Sequence, residues 1–396
     1  MTTAAWLLPS APATRSAPHR LSGSSIEDIL RAWIFAAGFC AISGVVLFGI
    51  AAMRILAATV LTAIACELLW YGVSRRRSIG GVTHSALTGL LVALTLPATA
   101  PWYVGAVASA VAVILAKGLF VGEGRYLWQP ALVGRVVAQF VFSSTFAMAG
   151  STALWPVLAP GHLLTGRLSR AVPIDVATYG GWSGVGGSSP QDAWLMPVPV
   201  ASLREFAEGR IAPDGDLLYE PLIRDRLPPW SDTVIGTVPG GLGETCTLAI
   251  IAAGLYLIYR GYLRWQLPVA MLAAAAAAAA VFPVESARAG NAYLWFPGLA
   301  VEGGRAVGPA YVLYHLTSGQ LMLGAFLLAG DMIATPLRVR GQIAFAAGAG
   351  VLTIFMRLYG VLEGECYWAI LIMNTVVPLI DRRTRRDVIG VEPMEN

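Results

Sequence analysis

The sequence predicts an all-α integral membrane protein with about ten transmembrane helices, and two observations carry this prediction. Only 13% of the 396 residues are Asp, Glu, Lys or Arg, 56% are hydrophobic, and the mean hydropathy is +0.66. Soluble domains are about 25% charged. Apolar stretches of roughly 20 residues, the length that crosses a bilayer, also recur along the chain. These features exclude cytosolic enzymes, disordered or collagen-like chains and nucleic-acid-binding proteins, and they make the lipid bilayer a partner.

The predicted spans form two groups of five, which a long polar stretch separates. The ten spans begin near Ile29, Ile55, Val82, Trp102, Ala131, Leu242, Leu267, Tyr311, Ile343 and Val361. We therefore divide the chain into a polar tail (1–25), a first five-helix repeat (26–150), a long loop (151–241), a second five-helix repeat (242–381) and a basic tail (382–396).

The basic residues predict the orientation of the spans. Clusters follow span two (75–77), span six (260–264), span eight (338–340) and span ten (382–386), and Lys117, the only lysine, marks the junction after span four. All of these connections lie on one side, which the positive-inside tendency makes cytoplasmic. We therefore expect a multi-pass protein of a bacterial inner membrane, with both termini in the cytoplasm and the long loop outside.

Two similar stretches indicate an internal repeat. Residues 84–97 resemble 315–336, and 123–128 resemble 363–368. Corresponding spans are five apart, so the two halves would insert in opposite directions. Inverted repeats place binding sites near mid-membrane, often at broken helices. Chance similarity between two apolar, Gly-rich sequences is the alternative.

Two glycine-containing segments are candidate binding sites. In the loop after span four, Gly122 and Gly124 allow close approach to a ligand and Trp128 can cover a planar ring. The alternative is a turn at the membrane interface. At the start of span six, the segment Gly243–Thr245 (Gly243, Glu244 and Thr245) resembles an anion site at a helix N-terminus, although Glu244 could simply cap the helix.

Titratable residues inside apolar spans are the remaining candidates. We interpret Glu67 as structural and Asp331, which precedes a helix break, as functional, with pairing to an arginine such as Arg357 left open. His84 and His315 occupy similar places in the two repeats. They could ligate haem, but such residues are more often hydrogen-bonded at helix starts.

Several of these segments together resemble one family in matching order from Ala17 to Asp381. They are Ala17–Ser22, Ser85–Pro97, Trp128–Ala131, Pro239–Thr245, Ser318–Phe326 with Asp331, and Asn374–Asp381. The family is the membrane flavoprotein component that the sodium-pumping NADH:quinone oxidoreductase (Nqr) and the Rnf electron-transport complex share.

The resemblance implies a ten-helix, inverted-repeat component of an ion-translocating redox complex. Such proteins carry FMN covalently linked to a threonine of the outer loop and a second, non-covalent flavin, riboflavin or FMN, within the membrane. Their partners are other membrane and peripheral subunits. This chain has no nucleotide-binding fingerprint, so another subunit must oxidise NADH or ferredoxin, and we assign no catalytic residue or metal ligand to it.

The covalent site departs from the family pattern. Ser189 stands where the flavin-bearing threonine is expected, Ser183 replaces the expected Asp, and Gly186, Gly187 and Ser188 replace Ser-Gly-Ala. Two alternatives therefore stay open. One is a diverged structural or ion-conducting subunit without covalent flavin, and the other is a stand-alone inverted-repeat transporter.

Overall fold

The computed structural model describes eleven stretches of the chain. They are residues 25–74, 81–97, 100–119, 126–143, 230–236, 240–286, 292–302, 305–306, 308–317, 319–359 and 364–384. Gly122, Gly124, Ser189 and most of both terminal tails and of the long loop lie outside the described residues.

The described part of the chain is mainly helical. In the first half the helices are α1 (Ile26–Phe48), α2 (Ile50–Ser74), α3 (Gly81–Leu94), α4 (Trp102–Ala110) and α5 (Pro130–Val141). The helices that follow are α6 (Trp230–Ile235), α7 (Thr247–Tyr259), α8 (Gln266–Val281), α9 (Gly308–Thr317), α10 (Leu321–Leu323), α11 (Val339–Tyr359) and α12 (Glu365–Thr384).

Each predicted span start lies close to an observed helix start. The largest differences are five residues, between Ile55 and Ile50 at α2 and between Leu242 and Thr247 at α7. By length and composition, three described helices can cross a membrane, and a fourth span results if the bent pair α9–α10 is one span. Other apolar helices, such as α3 and α7, are shorter than a full crossing.

Two helices change their winding. α4 continues as a π-helix over Val111–Leu119, and α10 continues as a π-helix over Gly324–Leu328. π-Helical segments are rare in proteins, and those that occur are often found at functional sites. Two short antiparallel hairpins, which the sequence analysis did not predict, join α8 to α9. They are β1 (Val284–Ser286) with β2 (Ala292–Leu294), and β3 (Val301–Glu302) with β4 (Arg305–Ala306).

The two halves meet where helices are interrupted. Helix α3 ends at Leu94. In the segment before α7, the Leu242 N–H donates to the Leu96 carbonyl and the Gly243 N–H donates to the Leu94 carbonyl, each at 2.9 Å. A Cβ added to Gly243 would lie 2.7 Å from Leu94 Cβ, so the backbones can approach this closely only because residue 243 is glycine. Backbone groups that the interrupted helices leave unpaired are thereby satisfied inside the core.

Helix packing completes the core around this crossing. α2 packs against α3 and α4, α1 packs against α3 and α7, and α8 and α12 pack on α11. Large apolar side chains such as Phe35, Leu61 and Leu248 remain exposed on the outer surface. This pattern is what a lipid-facing surface requires, because a bilayer solvates apolar side chains.

Candidate functional site

A cavity of about 290 Å³ lies between α1, α3 and the two segments that precede α5 and follow the second π-helix. Its walls are largely apolar and include Leu30, Leu87 and Leu91. Its polar lining residues are Trp33, His84, Thr88, Tyr126, Gln129 and Asp331. An apolar cavity with a few convergent polar groups is the usual form of a small-molecule site.

Three titratable residues of the cavity lining form a hydrogen-bonded chain. The Tyr126 hydroxyl donates to the Asp331 carboxylate, 3.0 Å from one oxygen and 3.1 Å from the other. The same hydroxyl lies 3.3 Å from Nε2 of His84. The Ile333 N–H donates to Asp331 at 3.2 Å. The hydrogen-bonded chain of Asp331, Tyr126 and His84 therefore joins α3 to the segment before α5 and to the segment after the second π-helix.

The surroundings of this chain shift its proton affinities. Asp331 lies in a largely apolar lining, where its carboxylate accepts hydrogen bonds from the Ile333 N–H and the Tyr126 hydroxyl. Burial, and then the neighbouring Asp331 charge, raise the pKa of Tyr126 well above its ordinary value. Tyr126 is therefore a neutral hydrogen-bond donor at physiological pH.

Contacts from α12 hold the two segments in place. In the orientation that satisfies both of its groups, the Asn374 amide accepts from the Gln129 N–H and donates to the Ala334 carbonyl, each at 3.2 Å. Trp128 Nε1 donates to the Thr375 hydroxyl at 2.9 Å. The cavity lining is therefore anchored to the second half of the chain.

Three of the lining residues carry a buried polar atom without a hydrogen-bond partner among the described residues. They are Nε1 of Trp33, Nδ1 of His84 and Oε1 of Gln129. Buried polar atoms are nearly always paired, and an exception calls for an explanation such as a bound molecule. Trp33 supplies a donor and Gln129 an acceptor, so the lining offers both to a ligand.

A second polar cluster consists of Glu67, Ser85 and Lys117, and Ser85 directly follows His84 in the sequence. The Lys117 ammonium donates to Glu67 at 2.8 Å and to the Ser85 hydroxyl at 3.0 Å, and Ser85 donates to Glu67 at 2.8 Å. Both charged side chains are at most 5% exposed. The sequence analysis placed Lys117 at the junction after span four, and the structure places it in the last turn of the π-helix that continues α4, with its ammonium paired inside the helix bundle. Glu67 is structural in this sense, with a lysine as its partner.

A third polar cluster lies at the crossing of the two halves. The Tyr367 hydroxyl donates to the buried Glu244 carboxylate, and the Arg135 Nε–H donates to the Thr95 carbonyl at 2.9 Å. The Arg135 guanidinium also lies over the Tyr367 ring, 6.0 Å from its centroid. The first two contacts each join parts of the same half, and the contact of Arg135 with the Tyr367 ring links the two halves.

The structure brings only some of the predicted site residues to the cavity. Asp331 lines it. Trp128 is bound to Thr375 instead, and Gly243, Glu244 and Thr245 lie at the crossing. Gly122, Gly124 and Ser189 lie outside the described residues. His84 and His315 have different surroundings, because His84 lies in the first turn of α3 and His315 in the last turn of α9, where its carbonyl accepts from Arg357.

Four polar lining residues were missed as site residues by the sequence analysis, namely Trp33, Thr88, Tyr126 and Gln129. A signal for Trp33 was present, since Ile26, Leu30 and Trp33 have the spacing of one helix face and all line the cavity. For Gln129 the signal was its place within the aromatic loop that was proposed as a binding segment.

Broken helices, a buried ion pair and a partly polar cavity inside an apolar helical bundle are the features of a multi-pass membrane protein. A comparison with protein families identifies the family of membrane proteins to which the chain belongs. The chain matches the NQR2, RnfD, RnfE family over residues 13–390, and it belongs to that family.

Curated relatives cover nearly the whole chain, and each of them is named as the D-type component of its complex. The chain is 30% identical over 380 residues to that component of the ion-translocating oxidoreductase complex of Halorhodospira halophila, covering 94% of both chains. It is 32% identical over 372 residues to that of the proton-translocating ferredoxin:NAD(+) oxidoreductase complex of Clostridium ljungdahlii, covering 93% of both. It is 28% identical over 377 residues to the Na(+)-translocating counterpart of Acetobacterium woodii, covering 95% of this chain and 94% of that relative.

Proposed function

We propose that this chain is the RnfD component of an Rnf-type ion-translocating electron-transport complex in a bacterial inner membrane. The observation that carries the proposal is the match to relatives of this type over more than nine-tenths of both chains. Its partners are then the other membrane and peripheral subunits of the complex. The electron donor is oxidised by one of those subunits.

The proposal includes ten spans in two inverted groups of five, with both termini cytoplasmic. Support comes from the agreement of the predicted starts with observed helices, and from the crossing at which Leu94 and Gly243 pair. Short helices such as α3 and α7 fit this layout because they meet at that crossing as parts of broken spans, as in other inverted-repeat proteins.

We further propose that the cavity holds the non-covalent flavin, riboflavin or FMN. Its volume lies near the lower end of the roughly 300–1,000 Å³ of small-molecule sites. The leucines of α1 and α3 suit the faces of a planar ring. Trp33 Nε1 and Gln129 Oε1 suit the acceptor and donor groups on the edge of a flavin. A bound flavin would therefore satisfy polar atoms that the protein leaves unpaired.

The residues around the cavity have separate roles in this proposal. A bound flavin supplies electron-transfer chemistry that amino-acid side chains do not provide. Leu30, Leu87 and Leu91 exclude water and keep the local dielectric low. Trp33 and Gln129 orient the ring edge. Asp331 holds or releases a proton next to Tyr126.

The covalent FMN is a separate part of the proposal, with Ser189 as the candidate carrier. Its test is flavin fluorescence of the denatured chain in a gel. A fluorescent band that disappears in Ser189→Ala but persists in Ser188→Ala assigns the attachment to Ser189. A wild-type band without flavin fluorescence would mean that the subunit has diverged and carries no covalent flavin. Electrons would then reach the cavity by another route.

Affinity purification of the tagged chain from its native membrane tests the function. We expect the other complex subunits to co-purify, and acid to release flavin from the preparation. A chain that purifies alone and transports a solute would instead be a stand-alone transporter. A complex without any flavin would have this chain as a structural or ion-conducting subunit.

A further inference from the structure

Protonatable side chains form two neighbouring hydrogen-bonded groups, one at the segment after the second π-helix and one in the interior of the bundle. Asp331 accepts from Tyr126, and the Tyr126 hydroxyl lies 3.3 Å from His84 Nε2. Beyond His84, the next residue Ser85 donates to Glu67, which pairs with Lys117. His84 lies within electrostatic reach of both Lys117 and Glu67. Of these side chains, the function proposed above uses only Asp331 and its contact with Tyr126.

We propose that Asp331, Tyr126 and His84 form a proton-transfer chain that ends in front of the buried Lys117–Glu67 pair. The chain would carry protons for the ion translocation of the complex. This inference rests on the proposed function, because electron transfer in the complex must drive the movement.

The hydrogen-bond directions allow transfer of one proton without any other reactant. When His84 is doubly protonated and Asp331 is ionised, the His84 Nε2–H bond breaks and a new O–H bond forms on Tyr126. The earlier Tyr126 O–H bond breaks at the same time, and that proton bonds to the Asp331 carboxylate. Tyr126 is unchanged, His84 keeps its Nδ1 proton and becomes neutral, and Asp331 becomes a neutral acid. The reverse sequence loads a proton onto His84.

The Lys117–Glu67 pair would control the proton affinity of His84, which is the interior end of the proton-transfer chain. Lys117 and Glu67 carry opposite charges, so they act in opposite senses on a positive charge at His84. A displacement of Lys117 relative to Glu67 would therefore change the proton affinity of His84. Lys117 lies in the π-helix that continues α4, a helix type that is frequent at functional sites.

The contacts favour a proton over a metal cation along this path. The Glu67 carboxylate already has the Lys117 ammonium as its cation, at 2.8 Å. The Asp331 oxygens already accept from Tyr126 and Ile333. A hard metal ion needs several oxygen ligands at once, whereas a proton needs only the alternating donors and acceptors that this path provides.

The test is proton uptake into liposomes that contain the purified complex, with flavin content and partner subunits checked first. We expect His84→Ala to reduce proton uptake at least about tenfold, since a lost proton-transfer group costs roughly 10²–10⁴-fold where it limits the rate. Added imidazole, which can enter through the neighbouring cavity, should restore uptake in this variant. Tyr126→Phe should lose uptake without rescue. Tyr103→Phe, whose ring contacts Trp102 and Phe142 rather than the cavity, is the matched control.

Each result decides between the proposals. Imidazole rescue of His84→Ala, together with lost uptake in Tyr126→Phe, supports the chain, because a purely structural role would not be restored by a small base. Wild-type uptake in both variants overturns the chain. A wild-type complex that takes up only Na⁺ overturns the proton assignment and leaves the proposed function standing. A preparation without partner subunits overturns the proposed function itself.

Discussion

At the scale of single residues, Lys117 and Glu67 form an ion pair that should matter for folding because it is buried. Removal of one partner leaves an uncompensated charge in an apolar interior, at a cost of about 3–5 kcal/mol. We therefore expect Lys117→Met and Glu67→Gln each to lower the thermal unfolding midpoint strongly in detergent. The double variant should be more stable than the sum of the two losses, since no lone charge remains.

The pair of Glu27 and Arg31 is the matched control for this prediction. Its two side chains are 62% and 67% exposed, and their closest nitrogen and oxygen are 3.0 Å apart. Exposed pairs contribute about 0–1 kcal/mol, so Arg31→Met should have little effect. Single variants of Lys117 or Glu67 that are as stable as Arg31→Met would refute the account of the buried pair.

The same residues show what could be predicted from the sequence about the site. A carboxylate at the end of an apolar span is costly unless it is paired, so Asp331 could be predicted as a candidate site residue, and it lines the cavity. Lys117 was assigned to a cytoplasmic connection because a basic residue near a predicted span end usually lies there. Its pairing inside the bundle could not be predicted, because its partner Glu67 is 50 residues away in the chain and no local pattern links the two.

At the scale of elements, the crossing of the two halves depends on Gly243. A side chain at this position would meet Leu94 at 2.7 Å, whereas a Cβ at Gly38 in α1 would meet nothing within 4 Å. We expect Gly243→Ala to destabilise the protein by about 1–3 kcal/mol through overpacking. Gly38→Ala should be neutral or slightly stabilising. Equal unfolding midpoints for the two variants would show that the crossing does not depend on this close contact.

Helices were easier to predict than their interruptions. A run of apolar residues predicts a membrane-embedded helix directly, and the observed starts agree with this rule to within five residues. The hydrogen bonds from Leu242 and Gly243 to Leu96 and Leu94 join distant parts of the chain, so no local pattern specifies them. The π-helical turns of Val111–Leu119 and Gly324–Leu328 likewise depend on the packing of neighbouring helices.

At the scale of the whole molecule, the cavity is built from both halves of the chain. α1, α3 and the segment of Tyr126 come from the first half, and Asp331 comes from the second. Asn374 ties the two segments together. Relative movement of the halves would therefore change the cavity and the contact between Tyr126 and Asp331 at the same time.

The most direct measurement for the central claim is the amount of acid-extractable flavin per complex in a cavity-filling variant. Leu91 lines the cavity and is 6% exposed, so Leu91→Phe should fill the space of the ring. Leu61→Phe, at an exposed position of α2, is the matched control, and gel filtration with the partner subunits verifies assembly. The account predicts that Leu91→Phe loses the extractable flavin while assembly and the control are unchanged. Full flavin content in an assembled Leu91→Phe complex would contradict it.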